Sequence, residues 1–353
     1  HRASHSLHSI CSRTGSFPPA LARWYIERYS LRGSRVLDPF SGKGTAPLES
    51  CLGGRVGIGN DLAPEAYVLT RAKVRPVGFE EVRSWIERNR SFIETYRSSD
   101  APEEVEVFYS GRTLRQILAV RELLERPESD VEWFVKAIML GILHGSSSDS
   151  LSVKCSHSFS MSPAYVKRSV KELGLKKPER NVPDCILTRA RRVLQDGLPE
   201  VRGAAFNVDA RRLPLGEESV DLIVTSPPYF SMQTYAWDNW LRLWFLGHDY
   251  RDVAKRLFHT SSVPKFLEFM EEALREMYRV VKGGGHCVLV LGIVRLKGVL
   301  IDMARLLLPV AEKVGFEPVR IVYDEIPKAR KYLMYLEGTQ GVKREVVLEL
   351  RKG

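Results

Sequence analysis

The chain has 353 residues, 44% hydrophobic and 27% charged, a composition that excludes a largely disordered protein and allows one large α/β domain with an insertion. Apolar stretches such as Val288 to Val294 are too short to span a bilayer, and the N-terminus lacks the apolar core of a secretory signal, so a cytosolic protein is expected. The five cysteines are scattered, without Cys-x-x-Cys or paired histidines at ligand spacing, which argues against a disulfide framework or a metal site, while the net charge of +10 favours a polyanionic partner.

Seven segments read as strands: Ser34–Asp38, Arg55–Asp61, Ala204–Asp209, Val220–Thr225, His286–Val294, Pro318–Asp324 and Glu345–Leu350. Helical patterns separate most of them, which predicts an α/β fold with a mostly parallel sheet and ligands at the strand carboxyl ends. Asp38, Asp61, Asp209 and Ser226 fall at such ends.

Upstream of the first strand, Arg13 to Arg23 contains Phe17, Pro18 and Pro19 and reads as a helix start, with Ser16 as its cap. Behind the first strand comes Asp38-Pro39-Phe40-Ser41-Gly42-Lys43-Gly44-Thr45. Its two glycines permit a tight strand-to-helix turn whose backbone N–H groups can meet a ligand. A phosphate-binding Walker loop is excluded by register, because position 37 is Leu and position 44 is Gly. A dinucleotide fingerprint fits poorly, since the third small position is Pro47.

Asp61, followed by Leu62, ends the second strand, where it can accept hydrogen bonds from a ribose diol or cap the next helix. From Glu80 to Val201 the strand alternation stops and helical periodicity takes over. Three regions are therefore expected: 1–79 and 202–353 as the two parts of one catalytic domain, and 80–201 as a helical insertion. Between Lys154 and Arg192 the insertion holds ten Lys or Arg against three Asp or Glu. Lys154, Lys167, Arg168, Lys171, Lys176, Lys177, Arg191 and Arg192, with Arg189, form either a nucleic-acid-binding face or a solvated helix surface.

Asp209 and Ala210 close the third strand and are further candidate ligand contacts. The fourth runs into Thr225-Ser226-Pro227-Pro228-Tyr229-Phe230. Consecutive prolines fix φ and remove two backbone donors, so the turn can present carbonyls rigidly, and Tyr229 offers an aromatic face. Tyr235, Trp237 and Trp240 follow on a helical pattern and read mainly as core. Arg279 to Gly285 reads as a structural helix-to-strand turn.

The glycine turn with the acid after strand two resembles the AdoMet-binding motifs of class I methyltransferases. Thr-Ser-Pro-Pro-Tyr resembles the catalytic motif of the amino-methyltransferase superfamily, and the Arg13–Arg23 segment its closure over the methionine end of AdoMet. The resemblance implies a Rossmann-like seven-stranded fold with AdoMet as cofactor, held by Phe17, Pro18, Asp38, Phe40, Ser41, Gly42, Gly44, Thr45, Asp61, Leu62, Asp209 and Ala210. Catalysis would fall to Ser226, Pro227, Pro228 and Tyr229. Ser in the first position implies cytosine N4 as the target, and the absence of a Pro-Cys nucleophile excludes carbon-5 chemistry. DNA is the expected substrate, with ribosomal RNA, adenine N6 of DNA and an inactive nucleic-acid-binding module as alternatives. The large insertion and the order of the two motifs depart from the DNA cytosine-N4 enzymes, which often place Pro-Pro-Tyr first.

Overall fold

Each central strand alternates apolar side chains between two covered faces, and that alternation builds the sheet. The computed structural model describes residues 4–12, 17–154, 162–228, 235–296, 299–324 and 345–353. Its strands are β1 (Arg35–Asp38), β2 (Val56–Asn60), β3 (Ala204–Phe206), β4 (Val220–Thr225), β5 (Val281–Leu296), β6 (Val299–Asp302), β7 (Phe316–Asp324) and β8 (Glu345–Lys352). They lie in the order β3-β2-β1-β4-β5-β8-β7, with β6 paired to β5. The pairs from β3 through β5 are parallel, whereas β8 runs antiparallel to both β5 and β7.

This is the Rossmann-like architecture that the resemblance implies, with one addition. Strand β6 was not expected, and its period is hidden because Val299 and Leu300, on a short strand paired antiparallel to β5, are 65% and 51% exposed. Strand order reverses between β1 and β4, so the crevice beyond their carboxyl ends is where an open sheet of this kind takes ligands.

The helices are α1 (Pro19–Tyr29), α2 (Thr45–Leu52), α3 (Pro64–Val74), α4 (Phe79–Thr95), α5 (Glu103–Glu106), α6 (Gly111–Leu123), α7 (Asp130–Ile142), α8 (Pro163–Leu173), α9 (Val182–Val193), α10 (Tyr235–Asp238), α11 (Trp240–Phe245), α12 (Tyr250–Arg256), α13 (Val263–Val280) and α14 (Met303–Val314). On one face of the sheet, Val36, Leu222, Val224, Val288 and Val347 bury Ala22, Tyr25 and Ile26 of α1. On the other face, Leu37, Ile223, Cys287 and Leu289 pack on Phe266, Met270, Leu274 and Met277, whose three- and four-residue spacing marks one stripe of α13.

The helices α4 to α9 share a core that includes Ile86, Ile117, Phe134, Ile138 and Ile186. That core continues into Leu7 and Ile10 near the N-terminus, Leu69 of α3, and Trp240 and Phe245 of α11. Arg189 corrects one expectation. It lies inside, donating to Asp149 at 2.6 and 2.9 Å and to the Ile10 carbonyl at 2.9 Å, because it shares the buried stripe of α9 with Ile186 and Val193.

Candidate active site

The glycine turn is held by hydrogen bonds from both sides. Gly44 has φ +74°, and a Cβ there would meet the Thr70 Cα at 2.9 Å, so the position excludes a side chain. The Gly42 N–H donates to Asp61 Oδ2 at 2.8 Å, and the Ala63 N–H donates to Asp61 Oδ1 at 2.9 Å. Asp61 thus ties the turn to the start of α3 while each of its oxygens keeps a lone pair for another donor. Two residues of α3 complete the cradle: Thr70 Oγ1 lies 3.0 Å from Ser41 Oγ, and buried Lys73 donates to the Lys43 carbonyl at 2.6 Å. Burial, together with the nearby Lys43 charge, draws the Lys73 ammonium down to about 7.

Asp38 lies beneath the turn. Its Oδ1 accepts from Thr225 Oγ1 at 2.6 Å and from the Phe40 N–H at 3.1 Å, joining the ends of β1 and β4. Burial pushes its carboxyl up to about 7; the two hydrogen bonds oppose that rise and the Asp61 charge adds to it. Asn60 fastens the neighbouring strand ends, donating to the Pro39 and Val208 carbonyls and accepting from the Val208 N–H. Asp209 forms a two-pronged ion pair with Arg211, whose guanidinium holds the carboxylate below its ordinary value.

These strand ends open on a cavity of about 380 Å³. Phe40, Gly42, Asp61, Leu62, Asp209 and Ala210 line one side, and Ser226, Pro227 and Pro228 another. A third wall, Lys255 to His259 with Phe269 behind it, was not foreseen from sequence. Phe258 stacks on Phe269 with centroids 3.9 Å apart and planes at 7°, and Phe269 lies 6.1 Å from Phe40.

Residues 220–333 match the model of a family described as DNA methylase, that of N6 and N4 amino-methyltransferases. That segment, about a third of the chain, is similar to the amino-methyltransferases. No curated protein matches it. Among solved structures, it is similar to a candidate DNA modification methylase from Thermus thermophilus, at 23% identity over 41% of this chain and 52% of that one, with a TM-score of 0.27. The same protein complexed with S-adenosyl-L-methionine gives 24% identity over 40% and 50%, with a TM-score of 0.26. A SAM-dependent methyltransferase from Methanosarcina mazei gives 13% identity over 93% and 96%, with a TM-score of 0.38. The chain spans about half the length of the Thermus protein.

Not every residue expected at an amino-methyltransferase site reaches the cavity. Asp38, Ser41, Gly44 and Thr45 are in the supporting layer, and the Thr45 hydroxyl is buried without a partner among the described residues. Phe17 packs in the core between α1 and the sheet, and Pro18 caps α1; neither lines the cavity. Tyr229 and Arg13 to Ser16 lie outside the described residues. Trp240 is buried against Phe108, as expected of core, whereas Trp237 is 37% exposed.

The insertion's cations are exposed but largely engaged. Lys167 pairs with Glu103 at 2.8 Å, Arg192 with Asp149 at 3.1 Å, and Lys177 donates to the Glu106 carbonyl at 2.6 Å. Arg168 lies 4.0 Å from Glu172, and Arg191 stands over the Phe79 ring. Lys154, Lys171 and Lys176 are exposed. None of them lines the cavity. Among the described residues, no cluster of His, Cys, Asp and Glu could hold a metal ion, and no helix is long and apolar enough to cross a membrane.

The missed residues left faint signals. Asn60 is a polar residue at a strand end beside an acid, and Thr70 and Lys73 lie three apart on a helix, yet nothing in the sequence says that this helix faces the turn. Nothing in the sequence around Phe258 and Phe269 sets them apart from ordinary core aromatics.

Proposed function

We propose that this chain is an AdoMet-dependent methyltransferase acting on the exocyclic N4 amine of cytosine in nucleic acid, with DNA as its substrate. The observation that carries the reading is a single cavity lined by both the glycine turn and Ser226-Pro227-Pro228. Its size suits a drug-sized ligand. Asp61 and Asp209 offer acceptors for the hydroxyl and amino groups of an adenosyl moiety, while Phe40, Leu62 and Ala210 supply apolar walls. When bound, AdoMet supplies an electrophilic methyl group on a sulfonium centre.

The chain's own task is to prepare the amine. A nucleobase amino group is a poor nucleophile because its lone pair is delocalised into the ring. Ser226 Oγ and the Pro227 carbonyl accept hydrogen bonds from the two amine protons, which favours a pyramidal nitrogen with its lone pair free to attack. The two prolines keep those acceptors in place, and the Thr225–Asp38 bond ties that turn to the cofactor turn. Tyr229, next in sequence, is the proposed stacking face for the extruded base. The insertion's exposed cations provide a more distant contact with the nucleic-acid backbone.

Purified protein incubated with methyl-labelled AdoMet and either plasmid DNA or ribosomal RNA tests this by nucleoside mass spectrometry. N4-methylcytosine in DNA is expected. N6-methyladenine in its place overturns the base assignment, label confined to RNA overturns the choice of DNA, and no label in either overturns the whole reading.

A further inference from the structure

The unforeseen third wall carries two cations that the cofactor chemistry does not use. Lys255 and Arg256 end α12 and are exposed, yet both line the cavity that Ser226, Pro227 and Pro228 also line. Arg256 has no ion-pair partner among the described residues, and burial, with the charges of Arg256 and Lys136, lowers the pKa of His248. Among the described residues Lys255 holds only Asp252, at 2.9 Å, a solvent-exposed pair that contributes little and is easily exchanged for a stronger anion.

The backbone that carries these cations is fixed from both sides. Val253 is buried with Ala236 and Leu243, and Leu257 packs against that cluster. Immediately after, Phe258 stacks on Phe269 of α13. The stretch of backbone that carries both cations is thereby anchored at a cavity wall between two apolar contacts.

The chemistry of the cavity is asymmetric. Its carboxylates, Asp61 and Asp209, suit hydroxyl and amino donors, whereas a wall with two cations suits an anion. AdoMet has no phosphate, and its one anionic group is a carboxylate. We propose that Lys255 and Arg256 form a phosphate clamp that holds the nucleic-acid strand next to the target base, a role that rests on the function proposed above. Held there, the phosphate positions the flanking nucleotide and orients the base toward Ser226, while the insertion's cations, none of which lines the cavity, act at most at a distance.

The test uses the full chain with Lys255→Gln and Arg256→Gln combined. Binding of a labelled cytosine-containing oligonucleotide is followed across salt concentrations, and AdoMet affinity is measured by calorimetry. Loss of two phosphate contacts flattens the log–log salt slope by about 1.4 to 1.8. AdoMet affinity should stay within about twofold, and KM for the oligonucleotide should rise more than kcat falls. The charge-preserving pair Lys255→Arg and Arg256→Lys should recover most of the slope, which a merely structural role would not produce.

An unchanged slope in the neutral variant overturns the clamp. So does a loss of AdoMet affinity matching the loss of nucleic-acid affinity, because the cations would then be holding the cofactor carboxylate. If the wild-type protein methylates nucleic acid and the slope is unchanged, the clamp alone fails. If the wild-type protein neither binds nor methylates nucleic acid, the clamp falls together with the proposed function.

Discussion

The glycine turn and the helical insertion are both rich in charge, yet charge has opposite meanings in the two. Around the turn, Asp38, Asp61, Lys73 and Asn60 each have partners set by the fold, mostly backbone groups, in places where an unmatched polar group would be costly. On the insertion, Lys167 and Arg168 pair with acids in solvent, where a pair contributes little and composition alone cannot tell a binding face from a solvated one.

The largest effect should come from the turn side of that contrast. Ser226→Ala removes one of two proposed acceptors and should lower the single-turnover methylation rate about 100- to 1000-fold, by analogy with loss of a single electrostatic contact in other active sites. AdoMet affinity should not change. A wild-type rate in this variant would remove the catalytic assignment of the Ser-Pro-Pro turn.

Asp61→Ala should weaken AdoMet binding by about 1.5 to 3 kcal/mol, the range for a hydrogen bond to a charged group. The Gly42 and Ala63 N–H groups also lose their acceptor, so a slightly lower melting temperature is expected as well. Calorimetry that returns an unchanged dissociation constant would leave Asp61 as a helix cap only.

Asp38 gives a pH-dependent prediction. Burial holds its folded-state value at about 7, above the ordinary 3.8, so the protonated form favours the fold. That contribution is fully present below about pH 4 and is lost as pH rises to about 7, at no more than about 1.4 kcal/mol per pH unit. The wild-type melting temperature should therefore fall across this window relative to Asp38→Asn, whose amide oxygen can still accept from Thr225. Parallel melting curves for the two proteins would show that Asp38 is not the titrating group.

The smallest effect is expected on the insertion. Reversing Lys167, Arg168 and Lys171 to Glu should change the salt slope of nucleic-acid binding by no more than about one phosphate contact, because two of the three already face acids. A loss of several contacts in this variant would invert the contrast and make the insertion the main grip.

Short motifs with steric or covalent demands were legible in the chain. Gly42 and Gly44 announce a turn that side chains would block, paired prolines announce a rigid one, and the alternation of Val36-Leu37 or Leu222-Ile223-Val224 marks strands covered on both faces. Those features depend on residues adjacent in sequence, so sequence alone marked the sheet's main strands and the two turns that line part of the cavity. What only the tertiary structure decided depends on residues far apart. Thr225 meets Asp38 across 187 positions, Arg189 turns inward to Asp149, and Phe258 stacks on Phe269 to bring Lys255 and Arg256 to the cavity. No local pattern encodes such meetings, because they arise only when parallel crossovers bring distant strand ends and helix faces together.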